Sequence, residues 1–268
     1  MPLAIAAAAR LLRLAALAAA LALAACASVP KDAGKNPADP FERVNRQTDE
    51  FNYQADKYVL KPVAQGYVKV VPHPVRDCVS NFFGNLGDVP STINSVLQGK
   101  FKEAATDACR VLVNTTIGVG GCFDVARSMG LGKKSEDLGL TLGHWGFGPG
   151  PYIVIPLLGP SDLRDGIGRV GDAYLDPVSY LRPVWVIYPV TAVRFVDLRA
   201  SLLQTTDLVY GAALDRYSFV RDAYLQRRRS QVYDGHPPPM KDDDDDSDDG
   251  PQATPAPKDQ PAPPPAPQ

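Results

Sequence analysis

Apolar residues recur at alternating steps of three and four along most of the central chain, the period of a helix face. Phe41, Val44, Thr48, Phe51, Ala55 and Tyr58 share one side of a helix that starts at Asp39-Pro40, with Asp at the cap and Pro in the first turn. Val75, Cys78, Val79, Phe82, Phe83 and Leu86 repeat the pattern after His73-Pro74. Pro90 opens a further short helix with Ile93, Val96 and Leu97 turned inward, and Gly99 stops it. Phe101, Ala105, Ala108 and Leu112 mark another helix. Near the end, Tyr217, Val220 and Tyr224 line one face of a helix capped by Asp215, whose last turn carries Arg227, Arg228 and Arg229 at the negative end of the dipole. The predicted fold class is mainly α.

Two stretches depart from that pattern. Residues 138–161 contain no charged side chain, which by length alone suggests a membrane span. Six glycines and four prolines forbid a regular helix through them, and residues 143–152 must turn tightly or run irregularly. Irregular backbone at membrane depth survives only when buried in protein or lining a cavity. Two readings therefore stand side by side: a segment lining a cavity in or beside a bilayer, or a packed loop followed by a core strand, Ile153-Val154-Ile155. Residues 183–193 form a second apolar stretch with Trp185, Ile187 and Tyr188, broken by Pro189 and too short to cross. Several short apolar pieces suggest a protein lying in one leaflet rather than through it. Arg194 and Asp197 follow the second stretch, as snorkelling side chains at a rim or as groups facing a polar cavity.

The two ends read differently. An alanine- and leucine-rich run with Arg10 and Arg13 closes on Leu23-Ala24-Ala25-Cys26, the layout of a secretory signal. A cysteine after Leu-Ala-Ala resembles the bacterial lipobox, so residues 1–25 are expected to be removed and Cys26 acylated. Ala27 rather than Asp after that cysteine implies outer-membrane sorting, with residues 26–38 as a lipidated tether. From His236 to the end, prolines, an Asp242–Asp246 acid run and Pro/Ala/Gln repeats predict a disordered tail. Between Cys26 and Met240 there are 24 basic and 22 acidic residues, a near-neutral body with no field for nucleic acid. Its roughly 200 residues suit one domain, expected over residues 39–235.

Three cysteines remain in the body, Cys78, Cys109 and Cys122. In an oxidising periplasm one pair forms a disulfide, with Cys109 and Cys122 the nearest in sequence, though spacing alone leaves the pairing open. Catalytic and metal signals are poor. Gly130-Leu131-Gly132-Lys133-Lys134-Ser135 echoes a phosphate loop, but Arg127 stands where its first glycine belongs and Lys134 where its hydroxyl does. Gly118, Gly120 and Gly121 read as a helix break rather than a dinucleotide fingerprint. His73, His144 and His236 are too far apart to suggest a metal pair, and no Gly-x-Ser-x-Gly or Cys-x-x-Cys occurs. No catalytic residue, metal or cofactor is expected.

Taken together, the chain resembles the MlaA (VacJ) family of outer-membrane lipoproteins from about Asp39 to Val232. The blocks that carry the resemblance are Asp39-Pro40-Phe41-Glu42 with Asn45-Arg46 and Phe51-Asn52, Lys61-Pro62-Val63-Ala64, Ser80-Asn81-Phe82 with Gly84-Asn85-Leu86, and Leu97-Gln98-Gly99. They continue through Arg110 with Asn114-Thr115, Gly118-Val119-Gly120-Gly121 and Asp124-Val125-Ala126. The most specific block is Leu140-Thr141-Leu142-Gly143-His144-Trp145-Gly146, on to Gly150-Pro151-Tyr152, Pro156 and Leu163-Arg164-Asp165. The resemblance implies a single helical, ring-like domain in one leaflet of the outer membrane, on its periplasmic side, with an amphipathic channel. It implies that phospholipids straying into the outer leaflet pass through that channel to a periplasmic lipid carrier, that trimeric porins associate with the protein, and that no enzyme chemistry is involved. Gly143, Gly146, Gly148 and Gly150 are expected to shape or gate the channel, with Asp165 and Arg194 as polar contacts in it. Asn45, Arg46 and Asn52 are expected to serve backbone and neighbouring helices instead. The alternative is a tethered envelope scaffold that docks on a porin or the cell wall and moves no lipid. The acidic tail and the body cysteines fall outside the family pattern.

Overall fold

The computed structural model describes residues 33–212 and 214–239. The signal segment, Cys26 and the tail from residue 240 lie outside the described residues, and with them the expectations of lipidation and of a disordered terminus.

The chain is mainly helical, as its periodicity predicts. A first helix, α1 (Glu42–Ala55), passes through a π-helical turn (Asp56–Leu60) into α2 (Lys61–Val70). The wide turn falls where Pro62 has no N–H to give the preceding turn. Then come α3 (His73–Leu97), α4 (Phe101–Thr116) and the short α5 (Val125–Ser128). After α6 (Leu138–His144), strands β1 (Tyr152–Ile155) and β2 (Gly159–Asp162) form an antiparallel hairpin in which Tyr152 faces Asp162. Helix α7 (Leu163–Leu175), a 3-10 turn (Pro177–Tyr180), α8 (Val184–Ser201), α9 (Leu203–Ala212) and α10 (Arg216–Val232) complete the chain. The most extensive packing is between α3 and α4, with α6 against α7 and α2 against α8.

Several helix limits differ from those read in the sequence. The first helix starts at Glu42 with Phe41 at its cap, and the Asp39 carboxylate is used for longer-range contacts. Pro90 opens no new helix: it sits inside α3, which runs 25 residues, about 37 Å at 1.5 Å per residue. Pro189 likewise lies within α8. Residues 138–144 form a helix before the glycines and prolines take over, because Asp137 caps it by accepting from the Leu140 N–H. The strand reading of Ile153-Val154-Ile155 holds.

The larger departure concerns which helix faces are covered. Ile93, Val96 and Leu97, read as inward, are exposed, while Asp88, Ser91, Asn94, Ser95 and Gln98 on the opposite side of α3 are buried. On α1 the stripe residues Phe41, Val44, Phe51 and Tyr58 point out, and Glu42 and Asn45 point in. On α4, Phe101 and Leu112 are exposed while Asp107, Arg110 and Asn114 are buried. Helical spacing puts a stripe on one face but does not say whether that face turns towards protein. On α10 an apolar residue turns inward: Tyr217 joins Tyr152 and Val154 in a small apolar core, with Tyr224 and Leu225 against it.

The disulfide also differs from the nearest-neighbour pairing. Cys78 of α3 bonds Cys122, with Cα atoms 4.2 Å apart, and Cys109 is a free, exposed thiol. Cys109 lies seven residues before the end of α4, about 10 Å along its axis, beyond the reach of a bridge to a residue just past the helix. The glycines after α4 return the chain to α3 instead, where the Asn81 amide donates to the Cys122 carbonyl at 3.0 Å.

The bridge closes a loop with a sequence separation of 44. Chain-entropy reasoning puts its stabilisation at about 4 kcal/mol. Chemical denaturation of a Cys78→Ala/Cys122→Ala variant is expected to show a loss of that order, whereas Cys109→Ala is expected to leave the midpoint unchanged.

Candidate functional site

Charged and amide side chains bind the elements together from within. Arg110 on α4, nearly fully buried, donates to Asp88 at 3.0 Å and Asp124 at 3.1 Å, and to the Leu131 carbonyl at 2.8 Å. Asn114, one helical turn on, donates to Asp124 and accepts from the Ala126 N–H, which fixes α5. The segment between α5 and α6 lies across the α3–α4 pair like a strap. Lys133 reaches Asp88 at 2.6 Å, the Lys134 N–H donates to Asp107, and the Glu136 N–H donates to Ser91 Oγ. The phosphate-loop echo is therefore spent on internal contacts.

A second cluster joins α3, α6 and α7. The Thr141 hydroxyl donates to Asn94 Oδ1, Asn94 Nδ2 donates to Asp172, and the Leu138 N–H donates to Asp172 as well. A third surrounds Asp165: Arg164 donates to it at 3.0 Å and Tyr224 at 2.5 Å, with Arg228 paired to both Asp165 and Asp137. Burial pushes the Asp165 carboxyl up, but donation and charge from Arg228, Tyr224 and Arg164 outweigh it and hold the group below its ordinary value. The neighbouring Asp162 lacks that compensation; burial pushes it up to about 6.

Asn45 and Asn52 behave as a mock strand beside β1. Asn45 donates to the Tyr152 carbonyl and accepts from the Val154 N–H, both at 2.9 Å; Asn52 donates to Ile155 O and accepts from the Leu157 N–H. Arg46 pairs with Glu42 and Asp215. All three serve backbone and neighbouring helices, as their positions in the sequence suggest. Covering the β1 edge with side-chain amides removes an open pairing edge.

A small polar cavity of about 90 Å³ is lined by Asp137, Asp165, Arg169, Asp172, Tyr224 and Arg228, and among the described residues three larger ones open between these elements. One of about 420 Å³ lies under residues 143–149, bounded by Gly143, Gly146, Gly148, Arg164, Leu225 and Val232. A second of about 280 Å³ separates α1 from α8 and the β-hairpin, with Asp56, Arg199, Leu157 and Leu198 in its wall. The third and largest, about 560 Å³, is an apolar groove between α3, residues 119–122 and α8.

The glycine-rich segment is an exposed loop over the first cavity. A Cβ at Gly143 would stand 2.7 Å from Val232 and 2.8 Å from Arg164, so only glycine fits there. Gly146 and Gly150 turn at φ +91 and +68; nothing lies near a Cβ on Gly148. Trp145 anchors the loop by donating to the Leu97 carbonyl at 3.1 Å. Asp165, 3 % exposed within its ion cluster, lines the small polar cavity. Arg194 is half-exposed, pairs with Asp176, and stands 5.9 Å from the centre of the Phe83 ring beside the third cavity. Asp197 turns inward and accepts from Tyr67 and Ser80.

The structure thus brings together residues that the apolar stripes pass over: Asp88, Asp107, Arg110, Asn94, Thr141 and Arg228. Their signal is present in the sequence. Asp88, Ser91, Ser95 and Gln98, like Asp107, Arg110 and Asn114, form polar stripes at the same helical spacing as the apolar ones.

Fold and site define a mainly helical protein with an ion-paired interior, an apolar exterior and grooves between its helices. A family model described as MlaA lipoprotein matches residues 37–231. The chain belongs to the MlaA lipoprotein family. It is 35% identical over 225 residues to the Escherichia coli protein named intermembrane phospholipid transport system lipoprotein MlaA, covering 81% of this chain and 87% of that one. It is 34% identical over 234 residues to the Haemophilus influenzae protein of the same name, covering 83% and 90%. A solved structure described as "Structural basis for maintenance of bacterial outer membrane lipid asymmetry" superposes with a TM-score of 0.65 at 36% identity, covering 72% of this chain and 98% of that one.

Two outcomes follow from the buried charges. Arg110→Met removes one of the two cations on a fully buried Asp88 and the cation on Asp124, and is expected to cost about 3 kcal/mol in denaturant unfolding, far more than Leu112→Ala on the exposed side of the same helix. Asp162 binds its proton more tightly folded than unfolded, so the stability it contributes is present below its ordinary value of 3.8 and lost as pH rises through about 6. Asp162→Asn, which keeps the Oδ1 cap on the Asp165 N–H, is expected to be more stable than wild type at pH 7 by on the order of 2 kcal/mol. That advantage is expected to vanish by about pH 4 when unfolding is followed across the range.

Proposed function

We propose that this protein is a lipid-anchored component of an intermembrane phospholipid transport system on the periplasmic side of the outer membrane. It keeps that membrane asymmetric by removing phospholipids misplaced in the outer leaflet. They descend through an amphipathic channel in a helical ring and pass to a periplasmic lipid carrier, with a porin trimer beside the protein and Cys26 as the lipid anchor. The family membership and the names of the relatives support this reading.

The observation that carries it is the inverted distribution of side chains: apolar stripes outward, paired charges inward. In water such an exterior is a liability. In hydrocarbon it is neutral, and polar groups gain by meeting one another inside. Among the described residues no helix is long and apolar enough to cross a membrane, so one-leaflet residence fits the short apolar faces. A polar path lets a head group move while acyl chains stay against apolar walls and away from water. The loop of Gly143, Gly146, Gly148 and Gly150 shapes one mouth, Arg194 offers a polar contact, and Asp165 holds the frame from behind.

Deleting the gene is expected to raise outer-leaflet phospholipid, with rescue by wild type and not by Cys26→Ser. Arg194→Glu is expected to fold and rescue poorly, whereas Asp165→Lys, which puts a cation among Arg164 and Arg228, is expected not to accumulate. Unchanged outer-leaflet lipid in the deletion strain, with no parallel pathway present, would favour the scaffold instead.

A further inference from the structure

The apolar groove of about 560 Å³ lies outside the ion-paired clusters. Its walls are Val79 and Phe83 on α3, Val119 on the loop after α4, and Pro189, Val190 and Val193 on α8. Apolar walls of this kind ordinarily close on one another, since an empty gap forfeits packing on both sides. Here they are held apart. The Cys78–Cys122 bridge fixes residues 119–122 to α3 at the groove itself. On the other side, Asp197 accepts hydrogen bonds from Tyr67 at 3.0 Å and Ser80 at 2.6 Å, which sets the spacing of α8 from α3. The volume lies within the roughly 300–1,000 Å³ of small-molecule sites.

Charge selects the occupant. Beside the apolar walls stands Arg194, its guanidinium facing Phe83 and only partly engaged by Asp176. A guanidinium has five N–H donors, so the pair leaves some for an incoming anion. An apolar trough with a cation beside its wall matches an amphiphile with a hydrocarbon tail and an anionic head.

We infer that the groove between α3, residues 119–122 and α8 seats one acyl chain of a phospholipid, with its phosphate at Arg194 and the Cys78–Cys122 disulfide as a covalent wall that keeps the seat open. The inference rests on the lipid-transport reading and adds to it a resting place for the cargo.

The test uses the full lipidated protein in vesicles of phosphatidylethanolamine and phosphatidylglycerol. Two probes are compared: phosphatidylglycerol carrying a diazirine near the end of one acyl chain, and a diacylglycerol with the same group on its chain and no phosphate or other charge. After illumination, adducts are expected on residues 78–83, 119–122 and 189–194. Val190→Trp, which fills the groove, is expected to lower those adducts about tenfold through loss of several buried methylenes, while adducts around the exposed Tyr58 and Val59 stay unchanged. Val79→Trp fills it from the opposite wall and serves if the first variant does not fold. Arg194→Gln is expected to reduce labelling by the phospholipid and not by the uncharged diacylglycerol. Groove adducts that persist in both filled variants, labelling confined to the outer faces, or a crosslink to a second copy of the chain through the groove would overturn the assignment. Wild type is tested in parallel for rescue of the deletion strain. Rescue without groove adducts removes the seat and leaves the transport reading standing; failure of wild type to rescue removes the transport reading itself.

Discussion

Arg110 reaches across the α3–α4 pair into a slot made by Asp88 and Asp124, and the neighbouring elements are organised around that contact. The same Asp88 receives Lys133, which draws the α5–α6 segment over both helices. A buried guanidinium beside carboxylates is costly to desolvate and tolerable only when nearly every donor and acceptor is matched. Arg110 meets that condition with two carboxylates and a backbone carbonyl. The consequence reaches the outer surface. With the inward sides of α1, α3 and α4 occupied by polar groups, their apolar stripes have nowhere to go but out.

That arrangement ties the fold to the proposed activity. Helices joined by discrete ion pairs and amide contacts need not close on one another along a continuous apolar seam, so grooves remain between them. The three larger cavities lie where α8, the β-hairpin and residues 143–149 meet the polar frame, and only the small polar one sits within it among the described residues. The matched charges hold the frame, and the grooves are left open for the proposed cargo.

Much of the architecture was legible in the sequence. Helical spacing located α1, α3, α4 and α10, the Asp215 cap is real, and Ile153-Val154-Ile155 is a strand. The direction of the stripes was not legible, because Ile93 and Ser91 mark opposite sides of α3 with equal clarity and neither names its solvent. Pro90 reads as the start of a new helix and Pro189 as a break, yet α3 and α8 run continuously through them. The disulfide escaped for a related reason: closeness in sequence favoured Cys109, while seven helical residues carry it away from Cys122 and the return of the chain brings Cys78 near. Asp165, expected as a polar contact in the channel, is buried among Arg164, Tyr224 and Arg228, and the last two come from the far end of the chain. Arg194, by contrast, stands partly open beside an apolar groove, as its place after residues 183–193 suggests.

The most direct test of an apolar exterior facing hydrocarbon uses the chain's two tryptophans, Trp145 and Trp185, which are 52% and 73% exposed. With the full protein in phospholipid vesicles, and with Trp145→Phe and Trp185→Phe to separate the signals, fluorescence is read against lipids brominated along the acyl chain and against iodide in the water. Strong quenching of Trp185 by the brominated lipids and little by iodide is the expected result. Quenching by iodide with no response to brominated lipid would place that face in water and contradict the account.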